Sequence, residues 1–311
     1  MFSAFKYQKL VHTILGDIMS IYLQLLLASF FWGSNVIVMK LLLQELPFLL
    51  LATMRVFLSF LFLGLYMKMK HLSFHYEYHK KALFIGILAI YLNFFFTFLG
   101  MNEVKGIDNA FMNALAPMMT FVFSILLLKQ NGKLREYIAI GLTVFAFFLS
   151  IRFQIFDIKI GFWYLFLGMI LYMLANVCIQ KWQLHNCLTL SFYELLYGFL
   201  FLMIHCWIQN QLHLQPLFKI SLFHWILFFV ISGIGFAYIQ VIYMKSIGTI
   251  GALKTSFFLS LNPIITYIES LIFLNESFDW LHFIGFILLG ISIYLIKGQK
   301  EKGTTLSHNN E

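Results

Sequence analysis

Ten long apolar runs constrain this chain more than any other feature of its sequence. Each run has about 17 to 25 residues and few charges, which is the length that a helix needs to cross the hydrocarbon core of a bilayer. The runs fall at residues 19–39, 46–67, 82–101, 106–128, 136–152, 161–180, 188–207, 222–244, 250–274 and 281–297. Strands of a membrane β-barrel would alternate apolar and polar residues with period two, and these runs do not. The sequence therefore predicts an all-α membrane protein with ten transmembrane helices.

The composition leaves no room for a separate soluble domain. The chain is 61% hydrophobic and only 11% charged, whereas soluble domains are about 25% charged. The longest predicted connection, from Lys68 to Lys81, is too short to form a core of its own. We interpret residues 1–18 as a retained cytoplasmic leader at the membrane interface, because no small-residue cleavage site follows their apolar stretch. Residues 298–311 are expected to be a cytoplasmic tail.

The basic residues predict the orientation of the chain. If the N-terminus is cytoplasmic, fourteen Lys and Arg residues lie on the cytoplasmic side and five lie outside, while Arg55 and Lys254 fall within spans. Cytoplasmic loops of membrane proteins carry such an excess. The net charge of +8 is thus better explained by a bilayer than by nucleic acid, and no nucleic-acid partner is expected. Both termini are predicted to be cytoplasmic, in a bacterial-type inner membrane.

Two internal matches suggest that the chain is a repeat. Placing Asn35 over Asn176 aligns NVIVMK with NVCIQK at an offset of 141 residues. Placing Pro117 over Pro263, at an offset of 146, aligns ALAPMMTFVFSILLL with SLNPIITYIESLIFL. A chance alignment of helices rich in Leu, Phe and Ile is the alternative, but two matches at nearly the same offset favour a duplication.

The two halves, residues 19–152 and 161–297, would each contain five spans. Because five is odd, the second half must enter the membrane from the opposite side. The predicted fold class is therefore two inverted-topology five-helix repeats. Such repeats are characteristic of secondary transporters, in which exchange between the halves' conformations gives alternating access.

Arg55 and Glu194 are charged residues at matching positions of spans two and seven. A charge at membrane depth costs about 2.5 to 3.5 kcal/mol or more, so each side chain should meet a partner or a wet cavity. Two interpretations stay open. The pair lines a cavity, where it binds the charged ends of a substrate or gates access, or it is a structural ion pair between the halves.

Polar residues on other spans are candidates for the lining of the same cavity. On span nine, Lys254, Asn262 and Glu269 fall within an arc of about 80°. Glu269 is the candidate for proton coupling or for binding a substrate amine, whereas Lys254 could also snorkel to the interface. The further cavity-lining candidates are Asn35, Asn93, Asn109, Asn113, Asn176, Tyr238 and Gln240. Pro117 and Pro263 are predicted to kink their helices.

The sequence shows no signature of an enzyme, a cofactor or a metal site. It has no HExxH, GxSxG or phosphate-binding glycine loop. His71, His75 and His79 have helical spacing that could hold a metal, but no further ligand accompanies them and a basic interfacial loop is the preferred interpretation. The three cysteines lie in or beside spans six and seven without metal-type spacing.

Four stretches resemble the drug/metabolite transporter superfamily, in its ten-helix EamA-like branch. They are FWGSNVIVMK, ATMRVFLSFLFL, GMNEVKGIDNAFMNALAPMMTFVFSILLL and MKSIGTIGALKTSFFLSLNPIITYIESLIFLNESFDWLHFIGFILLGISIYLI. The resemblance implies a central cavity lined by helices one to four and six to nine, with helices five and ten at the periphery. It also implies export or exchange of small metabolites such as amino acids by alternating access. The chain departs from the family at Lys129-Gln130, where a Gly-Glu pair is common, and at Glu194 and Glu269, where apolar or small residues are usual.

The predicted function is thus secondary transport of a small polar metabolite, with amino acids or related amines as the leading class. A membrane enzyme acting on lipids and a channel are the alternatives. The expected partners are a small-molecule substrate, the lipid bilayer and a coupling proton. The sequence does not indicate the oligomeric state.

Overall fold

A computed structural model describes residues 2–75, 77–153, 159–184, 186–212, 215–275 and 277–297. These residues form helices and turns and contain no β-strand, in agreement with the predicted all-α class. The predicted tail, residues 298–311, lies outside the described residues.

Within its described residues, the first half of the chain contains seven α-helices. They are α1 (Phe2–Leu42), α2 (Phe48–Met69), α3 (His79–Ile85), α4 (Asn93–Glu103), α5 (Gly106–Ala114), α6 (Ala116–Leu128) and α7 (Leu134–Ser150). The second half also contains seven. They are α8 (Ile160–Lys181), α9 (Cys187–Ile208), α10 (Leu222–Leu227), α11 (Phe236–Ile250), α12 (Ala252–Phe257), α13 (Asn262–Phe273) and α14 (Trp280–Lys297).

Several of these helices join end to end into longer rods. The α3–α4, α5–α6, α10–α11 and α12–α13 rods each run as one apolar span, and α1, α2, α8 and α9 are single apolar spans. These eight are long and apolar enough to cross a membrane, and α14 contains a shorter apolar helix, Trp280–Ile296. The remaining predicted span corresponds to α7, which has 17 residues and packs along α14. The count of ten crossings stays a prediction, because it depends on these two shorter helices.

The four rods are interrupted at matching places. A π-helical segment, Gly86–Leu92, lies within the α3–α4 rod, and a second, Phe228–Gly235, lies within the α10–α11 rod. The α5–α6 rod breaks at Leu115 and the α12–α13 rod breaks through a 3₁₀ turn, Phe258–Leu261. These two breaks come just before Pro117 and Pro263, which lie in the first turns of α6 and α13. Proline has no backbone N–H, so it cannot donate the hydrogen bond that would continue the preceding helix.

Helix packing repeats between the two halves. The first helix of the first half, α1, packs on α11 and α13 of the second half, and the first helix of the second half, α8, packs on α4 and α6 of the first. Likewise, α2 contacts the π-helical segment of the second half and α9 contacts that of the first. The α2–α9 and α7–α14 contacts join equivalent helices. This is the packing that a two-fold relation between the halves requires.

The two halves run in opposite directions. The ammonium of Lys40, in the last turn of α1, donates to the carbonyl oxygen of Met101 near the end of α4. Gly161, in the first turn of α8, lies against Gly100 and Glu103 at that same end of α4. The end of one half's first helix and the start of the other's therefore meet, so the equivalent helices are antiparallel.

Candidate functional site

Arg55 lies at the interface of the halves, on α2. It is buried, and its guanidinium carbon is 4.5 Å from the ring centroid of Phe94 and 4.2 Å from that of Phe236. The two rings come from the helices that follow the two π-helical segments, so equivalent elements supply them. A desolvated cation on an aromatic face gains about 2 kcal/mol, so two rings can offset much of the cost of a charge at this depth.

No salt bridge joins Arg55 to Glu194 among the described residues. Nε of Arg55 is also buried without a hydrogen-bond partner. The structural ion pair that the sequence left open is therefore not formed in this conformation. Arg55 is instead a cation held by aromatic rings.

Glu194 is fully buried on α9 and is held by a neighbour on α11. Nε2 of Gln240 donates a hydrogen bond of 2.5 Å to Oε1 of Glu194. The second carboxylate oxygen and the amide oxygen of Gln240 have no hydrogen-bond partner in the described part of the chain. The arrangement leaves one carboxylate oxygen and one amide oxygen able to accept hydrogen bonds from a ligand.

Three aromatic rings form a group that includes Tyr172, a neighbour of both Arg55 and Glu194. Trp32, Tyr172 and Tyr243 form a triangle with ring centroids 5.6 Å, 6.0 Å and 5.8 Å apart. Tyr172 lies close enough to interact electrostatically with both charged residues. Among the described residues, neither tyrosine hydroxyl has a hydrogen-bond partner of good geometry, although the Tyr172 hydroxyl lies beside the amide of Asn176.

We call this group of residues the central cluster. Its members are Trp32, Arg55, Phe94, Tyr172, Asn176, Glu194, Phe236, Gln240 and Tyr243. Both amide atoms of Asn176 are also unpaired. Buried polar groups in proteins are nearly always hydrogen-bonded, because each unpaired group costs about 1 to 3 kcal/mol. A concentration of unpaired donors and acceptors between two halves of a bundle is thus suited to a polar ligand.

A second group of polar contacts joins α1 to the broken α12–α13 rod. Oγ of Ser34 donates a hydrogen bond of 2.5 Å to Oε1 of Glu269, and Oγ1 of Thr266 donates one of 3.1 Å to the carbonyl oxygen of Gly33. Gly33 permits this approach, since a Cβ at this position would lie 2.7 Å from Cβ of Ile265. Glu269 is therefore part of a seam between α1 and the α12–α13 rod.

A cavity of about 840 Å³ opens at the end of the bundle that carries the α6–α7 turn. Lys254 lines this cavity, together with the ends of α6, α8 and α11. Ile179 and Ile247 lie in its wall, one helical turn from Asn176 and Tyr243 of the central cluster. At the opposite end of the bundle, the contacts of Lys40 and Gly100 described above join the helices.

Three of the other predicted site residues, Asn35, Asn93 and Tyr238, make structural contacts. The amide of Asn35 donates to Oγ of Ser232 at 3.2 Å, and that of Asn93 donates to the carbonyl oxygen of Gly168 at 2.9 Å. The hydroxyl of Tyr238 donates to the carbonyl oxygen of Gln24 at 3.4 Å. The three asparagines that remain lie on the broken rods, with Asn109 and Asn262 buried and Asn113 partly exposed. Both amide atoms of Asn262 are unpaired.

The histidine spacing does not form a helical face. His71 and His75 lie between α2 and α3, residues 70–75 form no helix, and both side chains are exposed. His79 begins α3, where Nδ1 lies 3.0 Å from the hydroxyl of Tyr197. No group of three potential metal ligands occurs in the described part of the chain.

The sequence does not distinguish the aromatic members of the central cluster from the many other aromatic residues of the chain. The chain contains 38 Phe, 15 Tyr and 6 Trp, so no single ring stands out. Helical spacing was the available signal. Tyr172 precedes Asn176 by four residues and Tyr243 follows Gln240 by three, which places each tyrosine on the same helix face as a predicted polar residue.

The sequence profile of the EamA-like transporter family matches residues 19–152 and 159–298, nearly the whole chain in two copies. The chain belongs to the EamA-like transporter family. This confirms the resemblance seen in the four sequence stretches. The EamA-like protein is thus a multi-pass membrane transporter.

Structural comparison agrees with this family at the level of the fold. The EamA-like chain superposes on a protein of known crystal structure with a TM-score of 0.66 at 11% sequence identity, covering 89% of this chain and 96% of the other. At that identity the similarity shows a shared fold alone. No curated protein sequence matches the chain.

Proposed function

We propose that this protein is a secondary transporter that moves a small polar metabolite by alternating access. Amino acids and related amines are the leading substrate class. The observation that carries the proposal is the central cluster, in which Arg55 and Glu194 are buried between antiparallel halves beside unpaired polar atoms. A buried cation and a buried carboxyl group that both lie near Tyr172 suit a molecule with charges of both signs.

The conformation supports a cycle with one side open at a time. The cavity at one end leads toward the central cluster, and packed contacts join the helices at the other end. In a two-fold inverted repeat, an exchange of the two halves' conformations would open the opposite end. The excess of basic residues at this end supports a cytoplasmic location for the open end, with both termini on that side of a bacterial-type inner membrane. Export or exchange is the proposed direction.

Glu194 and Glu269 are the proposed sites of proton coupling. Each carboxylate accepts one hydrogen bond of 2.5 Å, from Gln240 and Ser34 respectively. Protonation would change the hydrogen bonding of a group that joins two helices. Binding of a proton at either carboxylate would thereby shift the equilibrium between the two conformations of the transport cycle.

Proteoliposomes containing the purified protein test this function. We expect protein-dependent efflux that saturates with substrate and is stimulated by substrate on the opposite side, whereas a channel would show neither saturation nor stimulation.

Variants of the two carboxyl groups test the coupling mechanism. Glu194→Gln and Glu269→Gln should each flatten the dependence of the rate on pH, while Glu103→Gln, at an exposed position near the end of α4, should preserve it. If both buried-site variants kept the wild-type pH dependence, the coupling mechanism would be wrong.

A further inference from the structure

The wall of the large cavity carries an excess of positive charge. Three lysines line it, Lys133, Lys181 and Lys254, against one acidic residue, Glu136. The carboxylate of Glu136 also accepts a hydrogen bond of 2.9 Å from the backbone N–H of Lys133 at the start of α7. The cavity therefore has a formal charge of +2 from the side chains that line it.

The shape of the cavity strengthens the effect of these charges. A concave surface with low-dielectric walls focuses the electric field, and it raises the local concentration of ions of the opposite sign. Here the walls are the ends of apolar helices, with Phe121, Ile179 and Ile247 beside the lysines. Anions should be concentrated in this cavity, and cations should be depleted from it.

The central cluster also favours anions over cations, at a greater depth in the bundle than the cavity lysines. Arg55 is 14 residues from the end of α2 that lies on the cavity side, or about 21 Å at 1.5 Å per residue. No Asp or Glu of the described residues forms an ion pair with it. A bound carboxylate would supply both the counter-charge and an acceptor for the unpaired Nε. A positively charged ligand without a carboxylate would meet repulsion in the cavity and again at Arg55.

We infer that the substrate must carry a carboxylate, that Arg55 binds this group, and that Lys181 and Lys254 select for it at the mouth of the cavity. The inference rests on the proposed transport function and narrows its substrate class. Amino acids and their deaminated acids fit the site, whereas amines that lack a carboxylate do not. Glu194 then accommodates an amino group where the substrate has one.

A matched panel tests the substrate class. Proteoliposomes containing the full-length protein are loaded with L-amino acids, the acids that result from their deamination and the amines that result from their decarboxylation, and efflux is followed by mass spectrometry. We expect protein-dependent efflux of carboxylate-bearing members, with amines leaving no faster than from protein-free vesicles.

The outcomes separate the inference from the proposed function. Protein-dependent efflux of amines at rates equal to those of the parent amino acids would overturn the carboxylate requirement and leave the transport function intact. Absence of flux for every class would contradict the transport function, and the inference would fall with it.

Variants of the cavity lysines test their role in selection. Lys181→Gln combined with Lys254→Gln should raise KM for a transported carboxylate about tenfold at low ionic strength, with a smaller change in kcat. This difference should shrink as salt is added, because salt screens the field. Lysine-to-arginine changes at the same two positions should preserve the wild-type KM.

A charge-matched control uses two lysines at the same end of the bundle that do not line the cavity. Lys129→Gln combined with Lys245→Gln removes the same formal charge from exposed positions. If this control raised KM as much as the cavity variant, general surface charge would account for the effect. The selective role of Lys181 and Lys254 would then be refuted.

Discussion

Arg55 and Glu194 occupy equivalent helices of the two halves and carry opposite charges, yet each is held by a different kind of neighbour. Arg55 lies between the rings of Phe94 and Phe236, and Glu194 accepts a hydrogen bond from Gln240. Their sequence positions indicated that both are buried in the membrane. The identity of their neighbours depends on how other helices cross α2 and α9, which residue spacing along one helix does not determine.

Replacing Arg55 tests whether its planar guanidinium is required. Arg55→Lys keeps the positive charge but loses the planar group that stacks between two rings and forms paired hydrogen bonds. We expect transport to fall by at least about tenfold, which corresponds to about 1.4 kcal/mol of transition-state stabilisation. The measurement is the initial rate of efflux from proteoliposomes.

Arg55→Met separates function from folding. Because an apolar side chain of similar length removes an unpaired buried charge, we expect the melting temperature in detergent to be retained or raised while transport is lost. Normal transport by Arg55→Met would show that the guanidinium has no part in binding.

Asp279 offers a pH test outside the apolar spans. Its carboxylate accepts a hydrogen bond of 2.7 Å from Arg152, and it also accepts one of 2.9 Å from the backbone N–H of Leu281 in the first turn of α14. Burial alone would raise the pKa of Asp279, but these hydrogen bonds and the nearby charges of His282 and Arg152 outweigh it and lower the pKa below its ordinary value of 3.8.

Asp279→Asn should therefore lower stability by about 0.5 to 1 kcal/mol at neutral pH, since Arg152 is 62% exposed and solvent screens the pair. A lowered pKa means that the stabilisation is fully present above the ordinary pKa and is lost as the pH falls through the folded-state pKa. The melting temperatures of wild type and variant in detergent should converge in that acidic range. A difference that stays constant down to the lowest pH would rule out the carboxylate as its source.

At the scale of helices, the sequence predicted some interruptions and missed others. Pro117 and Pro263 marked the breaks in the α5–α6 and α12–α13 rods, because proline removes a hydrogen-bond donor. The π-helical segments have no such marker, since an i to i+5 turn needs no special residue. Only the structure reveals them. In the second segment, Oγ of Ser59 on α2 lies within hydrogen-bonding distance of the carbonyl oxygens of Ser232 and Gly233, at 3.1 Å and 3.0 Å. π-Helical turns often occur at functional sites, and both of these lie beside the central cluster.

Gly100 tests the contact that closes the end of the bundle opposite the cavity. A Cβ at Gly100 would lie 2.6 Å from the carbonyl oxygen of Gly161 and 2.8 Å from Cγ of Leu165. Gly100→Ala must therefore push α4 and α8 apart, and we expect a loss of about 1 to 3 kcal/mol, measured by thermal unfolding in detergent.

Gly290→Ala is the matched control for this prediction. A Cβ at Gly290 would meet no atom within 4 Å, so its stability should be unchanged or slightly raised through the better helix propensity of alanine. Equal melting temperatures for the two variants would show that the contact between Gly100 and Gly161 is not tight.

At the scale of the whole molecule, the sequence predicted the class of the fold and its inverted repeat. The repeat could be found because NVIVMK and NVCIQK, and the stretches around Pro117 and Pro263, retained alignable residues. The open cavity could not be predicted, because it depends on how the helices of the two halves pack at that end, which residue spacing along each helix does not determine. Spacing along span nine put Lys254 and Glu269 on one helix face, but it could not show that Lys254 lines the open cavity whereas Glu269 contacts α1.

The most direct test of two oppositely inserted halves compares one position after the first helix of each half. Gln44 follows the end of α1 by two residues and Gln183 follows the end of α8 by two residues, and both are exposed. Each is changed to cysteine in a background without Cys178, Cys187 and Cys206, and a membrane-impermeant maleimide is added to intact cells and to inverted vesicles. We predict that Gln44→Cys reacts only in cells and Gln183→Cys only in inverted vesicles. Reaction of both from the same face of the membrane would contradict the inverted repeat and the central site built on it.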